Sequence, residues 1–231
     1  MAELWDGLRE AIRLISHGDG YVWDITFRTI LVSSVATVLA MLAGVPAGYL
    51  LARRRFPGRT LLLTAVNTGM GMPPVVVGLV VWLLLVRSGP LGGFELIYTK
   101  RAMVIAQFVI ATPMVVGFTA AAIQALPADL PDLLTMLGAG RIRTLWLLSR
   151  EANLGLLAAV MAGFGGVISE VGASMTVGGN LDGNTRVLTT AIVTETSRGQ
   201  NERAIALGLI LLALAFAVNL LLTFVQQRRL R

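Results

Sequence analysis

The 231-residue chain has no cysteine, one histidine (His17) and one lysine (Lys100). The first absence excludes disulfides, and the second leaves no His-rich metal site. The lone lysine is followed by Arg101 rather than Ser or Thr, so no Gly-rich phosphate loop can be built and the chain is not itself a nucleoside triphosphatase. Charge is also scarce. Only 14% of residues are ionisable against 55% hydrophobic, with a mean hydropathy of +0.76, a balance inconsistent with a water-solvated surface. Ten-residue alternating strands are lacking, which removes a β-barrel. The pI near 10.9 does not indicate nucleic acid, because the arginines gather at the ends of apolar segments rather than on one soluble face.

Five apolar stretches are present, at residues 29–52, 61–86, 102–124, 154–172 and 204–225. About 20 such residues, rising ~1.5 Å each, cross a hydrocarbon core of ~30 Å. In lipid each backbone N–H and C=O has to be paired within its own segment, so the expected fold is an all-α polytopic membrane protein with five transmembrane helices. Residues 1–28 are polar and form a separate segment before the membrane domain, 29–231; the first span is expected to act as its own uncleaved signal. Within that segment Leu4, Trp5, Leu8, Ala11, Ile12 and Ile15 fall at helical spacing opposite Glu3, Asp6, Arg9, Glu10 and Arg13. This amphipathic helix lies along the outer leaflet or packs on the side of the bundle.

Orientation follows from arginine density. Segments 53–60 and 126–153 and the tail from 226 hold ten of the nineteen basic residues, including the block Arg53, Arg54, Arg55 and Arg59. These segments are much shorter than the remaining loops, which places the N-terminus outside and the C-terminus in the cytoplasm.

Three spans contain proline: Pro46, the pair Pro73 and Pro74, and Pro113. Each lacks an N–H and crowds the carbonyl four residues earlier, so kinks are expected. The second span is the most broken, because Gly69 and Gly71 precede its proline pair near mid-membrane. Carbonyls freed at that depth persist where protein or a water-filled path covers them. The fourth span is glycine-rich and carries Glu170, followed by Gly172, Ser174 and Thr176. A carboxylate in a span has to face the bundle interior or water, as a gate contact, an interhelical latch or a satisfied interfacial group. Residues 175–199 are too polar for a full crossing and too apolar for a free loop, which predicts a half-buried segment folded against the outer mouth. Arg186, beside that mouth, fits either an oxyanion contact or a surface arginine.

The loop 126–153 contains ADLPDLLTMLGAG. Asp129 is placed to cap a helix with Pro131 and Asp132 in its first turn, and Gly138 to end it in a left-handed conformation. Leu130, Leu133, Leu134 and Leu137 make one apolar stripe at i, i+3, i+4 and i+7. So short a helix is unstable alone, and its stripe has to dock on the bundle's own underside or in a partner's groove.

This loop resembles the cytoplasmic loop of type I ABC importer permeases. Gly138 falls on the family's glycine and Asp132 on its acidic position; Leu133 and Leu134 stand where the family has two alanines, and Arg150-Glu151 where many members have Leu-Pro. NTGMGMPPVVVGLVVWLLLVRSGPLG, AQFVIATPMVVG and AGFGGVISEVGASMTVGGNLDGNTRVLTTAI follow the order seen in the molybdate, sulfate and tungstate group. SREANLGLLAAV and SEVGASMTVGGN look closest to the tungstate permeases.

The resemblance implies a homodimer in a prokaryotic cytoplasmic membrane, with two ATPase subunits beneath and a substrate-binding protein outside. The chain itself would carry no cofactor and catalyse nothing, ATP and Mg residing on the ATPase. Cytoplasmic coupling helices would be formed by the loop, with Asp132, Leu133, Leu134, Leu137, Gly138, Ala139 and Arg141 bearing the coupling. A translocation path or gate would involve Gly71, Pro73, Pro74, Glu170, Gly172, Ser174, Thr176, Asn180 and Arg186. Tungstate is the expected cargo, with molybdate or sulfate as alternatives. The rivals from other classes fare worse: a gradient-driven secondary transporter or channel commonly shows two related halves, which are not seen. An intramembrane enzyme would need a base near Ser169 and Glu170, and none is in sight.

Overall fold

A computed structural model describes residues 2–228. Arg229 and Arg231 of the basic tail lie outside the described residues, as do the side chains of Glu3, Leu4 and Arg228. Among the described residues the chain forms eleven α-helices and one 3-10 turn, Gly92–Phe94.

Three helices are long and apolar enough to cross a membrane on their own: α2 (Gly20–Arg53), α5 (Lys100–Gln124) and α11 (Asn201–Arg228). Helix α2 begins where the Asp19 carboxylate accepts a hydrogen bond from Val22 N at 3.0 Å, nine residues ahead of the apolar run. The other two spans are broken. Helices α3 (Arg59–Met70) and α4 (Pro74–Leu85) meet at a bend of 106°, so the stretch expected as one kinked rod is two half-helices. Helix α8 (Asn153–Ile168) turns by 80° from α7 (Arg141–Glu151) and stops before Glu170, leaving α9 (Gly172–Gly178) as a separate turn. Counting each bent pair once gives five spans.

The prolines act according to their neighbours. Pro46 and Pro113 sit inside α2 and α5 without interrupting them. At residues 71–74 two consecutive prolines remove two donors and adjoin Gly71, and the helix restarts with Pro74 at its first position, where a missing N–H costs nothing.

Helix α5 is central. It packs on α2, α3, α4, α8 and α9 around buried Met103, Ala106, Ala111 and Val115. Small residues permit the close approach that membrane helices rely on in place of a hydrophobic driving force. A Cβ at Gly48 of α2 would lie 2.7 Å from Val116 O and 2.7 Å from Thr119 Cβ, both on α5.

Helix α1 (Ala2–Ser16) packs on the side of the bundle, one of the two arrangements its pattern allowed. Ala11 and Leu14 are buried against Ala206, Leu207 and Ile210 of α11, while Trp5, Ile12 and Ile15 stay exposed. Helix α10 (Leu188–Ser197) is the half-buried segment, packed on α11 with Leu188, Thr190 and Ala191 fully buried.

Gly48→Ala is expected to lower the thermal unfolding midpoint in detergent, through overpacking worth about 1–3 kcal/mol. Gly208→Ala, where a Cβ meets nothing within 4 Å, should leave it unchanged; equal midpoints for the two variants would contradict the α2–α5 packing.

Candidate functional site

Two regions hold the residues singled out in sequence, one at each end of the bundle. At one end, α6 (Leu130–Met136) and α7 form a compact pair. Asp129 does not cap α6 with its side chain; it already has helical φ and ψ, and Leu133 N bonds its backbone carbonyl at 3.0 Å. The far end closes as expected. Gly138 has φ +83°, Gly138 N donates to Thr135 O at 2.9 Å, and Ala139 N donates to Leu134 O at 2.9 Å. This six-residue reversal satisfies the last carbonyls of α6 and aims α7 back beneath the bundle.

The leucine stripe docks on the bundle only in part. Leu130 and Leu134 pack with Ile123 of α5, Leu148 of α7 and Ala152, which seats the pair on the bundle. Leu133 is half exposed, and Leu137 is 83% exposed. Met136 and Ile142, which the leucine periodicity did not single out, are 83% and 85% exposed beside it. Asp132 and Arg141 are exposed at the edges of this patch and Ala139 is half-buried in the turn. Arg141 and Arg143 both occupy the first turn of α7, the positive end of its dipole, where a cation is disfavoured unless something acidic faces it.

At the other end the two broken spans cross. A Cβ at Gly78 of α4 would lie 2.6 Å from Ala173 Cα, and one at Gly172 would lie 2.3 Å from Val75 Cγ2. Glu170 is buried between them; its Oε1 accepts from Ala173 N at 2.8 Å and its backbone carbonyl accepts from Thr189 Oγ1 at 2.9 Å. The carboxylate thus satisfies a backbone N–H in the first turn of α9, while the bond to α10 is made by the main chain of Glu170 rather than by its side chain. Ser174 is buried and accepts from Gln107 Nε2 of α5 at 3.4 Å, and Thr176 Oγ1 bonds Gly172 O at 2.8 Å.

Arg186 is buried and fully engaged. It pairs with Asp182 at 3.1 Å, donates to Asn180 Oδ1 at 3.3 Å and to Asn180 O at 3.4 Å, and reaches the Tyr21 hydroxyl at 3.5 Å. Asn180, held at φ +49°, donates to Thr194 Oγ1 at 2.7 Å. Arg28 of α2, a buried arginine that the sequence reading passed over, pairs with Asp24 and donates to Arg186 O at 2.7 Å. The loop 180–186 is therefore riveted to α2 and α10, and its guanidinium is occupied rather than open to an anion.

A second omission lies on α3. Thr60, Thr64, Asn67 and Thr68, at i, i+4, i+7 and i+8, are all exposed, while Leu63, Val66, Gly69 and Met70 turn inward; Gly69 meets Pro113 and Met70 meets Gly117 of α5. The stripe leads to exposed Gly71 and Pro73 at the break, with Pro74 half-buried. Each of these side chains is mild alone, which is why an apolar run concealed them. Together they put a polar face at membrane depth on the outside of a single copy.

Comparison with known proteins agrees with this architecture. The model of the family described as "Binding-protein-dependent transport system inner membrane component" matches residues 44–231. The chain is 43% identical to the probable anion ABC transporter permease protein of Haloferax volcanii, over 87% of this chain and 89% of the other. It is 38% identical to the tungstate uptake system permease protein TupB of Peptoclostridium acidaminophilum, over 98% and 100%. A chain of the inward-facing MetNI methionine ABC transporter superposes with a TM-score of 0.65, covering 90% of this chain and 92% of that one at 19% identity, a likeness of fold.

Arg186→Gln is expected to lower the unfolding midpoint by several degrees, about 1–3 kcal/mol, since Asn180 O and the Tyr21 hydroxyl lose a donor. Transport per folded molecule should be retained. Abolished transport at unchanged stability would make Arg186 a substrate contact instead.

Proposed function

The chain belongs to the family of binding-protein-dependent transport system inner membrane components, and we propose that it is the membrane subunit of an ATP-driven tungstate importer. Two copies would form the conduit, two ATPase subunits carrying ATP and Mg would sit beneath, and a soluble binding protein would deliver the anion from outside. The N-terminus lies outside and the C-terminus in the cytoplasm, which puts α6, α7 and the Arg53–Arg59 block on the ATPase side.

The observation that carries the coupling is the apolar patch of Leu133, Met136, Leu137 and Ile142, left in solvent on a two-helix loop whose other face is anchored. An exposed cluster of this kind marks an interaction site, and a short helix presenting spaced apolar anchors suits a groove. The two arginines opening α7 want acidic groups opposite them. Closure of the ATPases around nucleotide would draw the two patches together. Because Leu130, Leu134 and Leu148 pack the loop on Ile123 of α5 and on Tyr49 and Ala52 of α2, that motion passes to the spans as a tilt, and the bend between α7 and α8 is the joint. A cavity of about 1120 Å³ between the loop and α8, with Leu134, Leu156 and Val160 in its wall, leaves room for it.

The path follows from the α3 stripe. Thr64, Asn67 and Thr68 facing lipid would be unfavourable; facing the second copy across a water-filled gap, they and the carbonyls near Gly71 and Pro73 line a weakly polar conduit. Hydroxyls, an amide and glycine backbone bind an oxyanion loosely, which suits release. The sorting of tungstate from molybdate and sulfate is then assigned to the binding protein. The substrate itself rests on the end-to-end likeness to a tungstate uptake permease.

Gly138→Val tests the coupling. A β-branched residue at φ +83° costs about 1–2 kcal/mol yet meets nothing within 4 Å in its own chain, so the membrane fold should survive. Co-purification of the ATPase and tungstate uptake by the reconstituted complex should fall at least about tenfold, the equilibrium factor for 1.4 kcal/mol. Gly138→Asn, which tolerates the left-handed region, should retain both. Unchanged assembly and uptake in the valine variant would refute the coupling role, and accumulation of sulfate or molybdate in preference to tungstate would reassign the cargo.

A further inference from the structure

We infer that the groove between α2 and α3, at the end of the bundle bearing the 126–153 loop, is a binding site for an anionic glycerophospholipid of the adjoining leaflet. The arginine block beside it divides into two pairs. Arg53 is directed at the carbonyls of Pro127 and Ala128, at 3.4 and 3.5 Å, and Arg59 Nε donates to Leu51 O at 2.7 Å. Both tie loops to the helix end. Arg54 and Arg55 are exposed, and their guanidinium groups make no hydrogen bond or ion pair among the described residues. They stand at the rim of a cavity of about 740 Å³ walled by Ala47, Leu62, Val66 and Val116, with Phe56 beside them at the mouth.

The depth and the chemistry of this groove match a lipid. From Arg54 back to Ala47 is seven residues of α2, about 10 Å of helix, so the walls lie just inside the hydrocarbon and the guanidinium groups at the headgroup level. Apolar walls reject a hydrated inorganic anion, and the volume far exceeds what one needs. Acyl chains satisfy the walls, and a phosphodiester satisfies two planar cations that can each donate two parallel hydrogen bonds. Basic pockets between membrane helices at the interface recognise acidic headgroups by this means. The groove faces away from the α3 threonine and asparagine stripe, since Leu62 and Val66 lie on the opposite side of that helix. Occupancy therefore leaves the proposed conduit open and packs the joint between the first span and the broken second one.

The test uses the full-length chain, delipidated in detergent and titrated with phosphatidylglycerol or phosphatidylcholine, with bound lipid counted by native mass spectrometry. Phosphatidylglycerol should be retained and phosphatidylcholine bound at least about fivefold more weakly. Each arginine near an anionic headgroup contributes roughly that factor, so the Arg54→Gln/Arg55→Gln pair should lose about 25-fold. Arg143→Gln/Arg150→Gln, an equal change of charge elsewhere at the same end, should lose nothing. Val66→Trp should lower retention by filling the groove; should that variant fail to fold, the two arginine pairs still decide. Equal retention of both lipids, equal loss in both arginine pairs, or displacement of phosphatidylglycerol by inorganic phosphate at about 10 mM would overturn the assignment.

Discussion

Hydrocarbon offers no partner to a backbone N–H or carbonyl, and the rest of this structure depends on that constraint. Three helices obey it without interruption. The two broken spans obey it by meeting other protein: the α8–α9 break is closed by Glu170, which joins Ala173 N and Thr189, and crossed by α4 at Gly78 and Val75. The α3–α4 break is covered on one side only, where Gly69 and Met70 rest on α5. Its other side carries Gly71, Pro73 and a row of threonines and an asparagine with nothing of this copy upon them. In the proposed dimer a second copy, with water between, would resolve that exposure, and resolving it would make a conduit.

Much of this was legible in the residues. The five apolar runs, the proline-weakened second span and the left-handed turn at Gly138 each follow from local chemistry: span length, missing donors, and the one residue without a Cβ. What the residues did not disclose was depth and direction. Pro46, Pro113 and the Pro73-Pro74 pair all read as kinks, the pair as the deepest, but the pair, close to Gly71, ends a helix outright, because one lost donor can be tolerated where two in succession cannot. Arg186 read as an open cation because its partners Tyr21 and Arg28 are more than 150 residues away in sequence. Met136 and Ile142 were passed over because they lie off the leucine stripe, although exposure rather than periodicity decides what a partner touches.

The two ends of the molecule divide the labour. At the N-terminal end the network of Asp24, Arg28, Asp182, Arg186 and Asn180 makes a rigid frame from two separated pieces of chain. At the opposite end a small helical pair rests on the bundle by Leu130 and Leu134 and turns Leu137 and Ile142 outward. Stiffness above and a docked, bent joint below fit a subunit moved from beneath by another protein. The membrane spans themselves hold few fixed charges, which suits the proposed passage of an anion rather than its retention.

The central claim is that the polar row on α3 faces water inside the assembled transporter. The absence of cysteine permits a direct measurement, in which Thr64, Asn67 and Thr68 are replaced singly by cysteine, and Leu62, on the opposite side of α3, likewise. The assembled complex is then treated in membranes with a charged, water-soluble thiol reagent. The account predicts rapid modification at 64, 67 and 68, slowed by saturating tungstate-loaded binding protein with ATP, and no modification at 62. Modification at 62 with the polar row left untouched would contradict it.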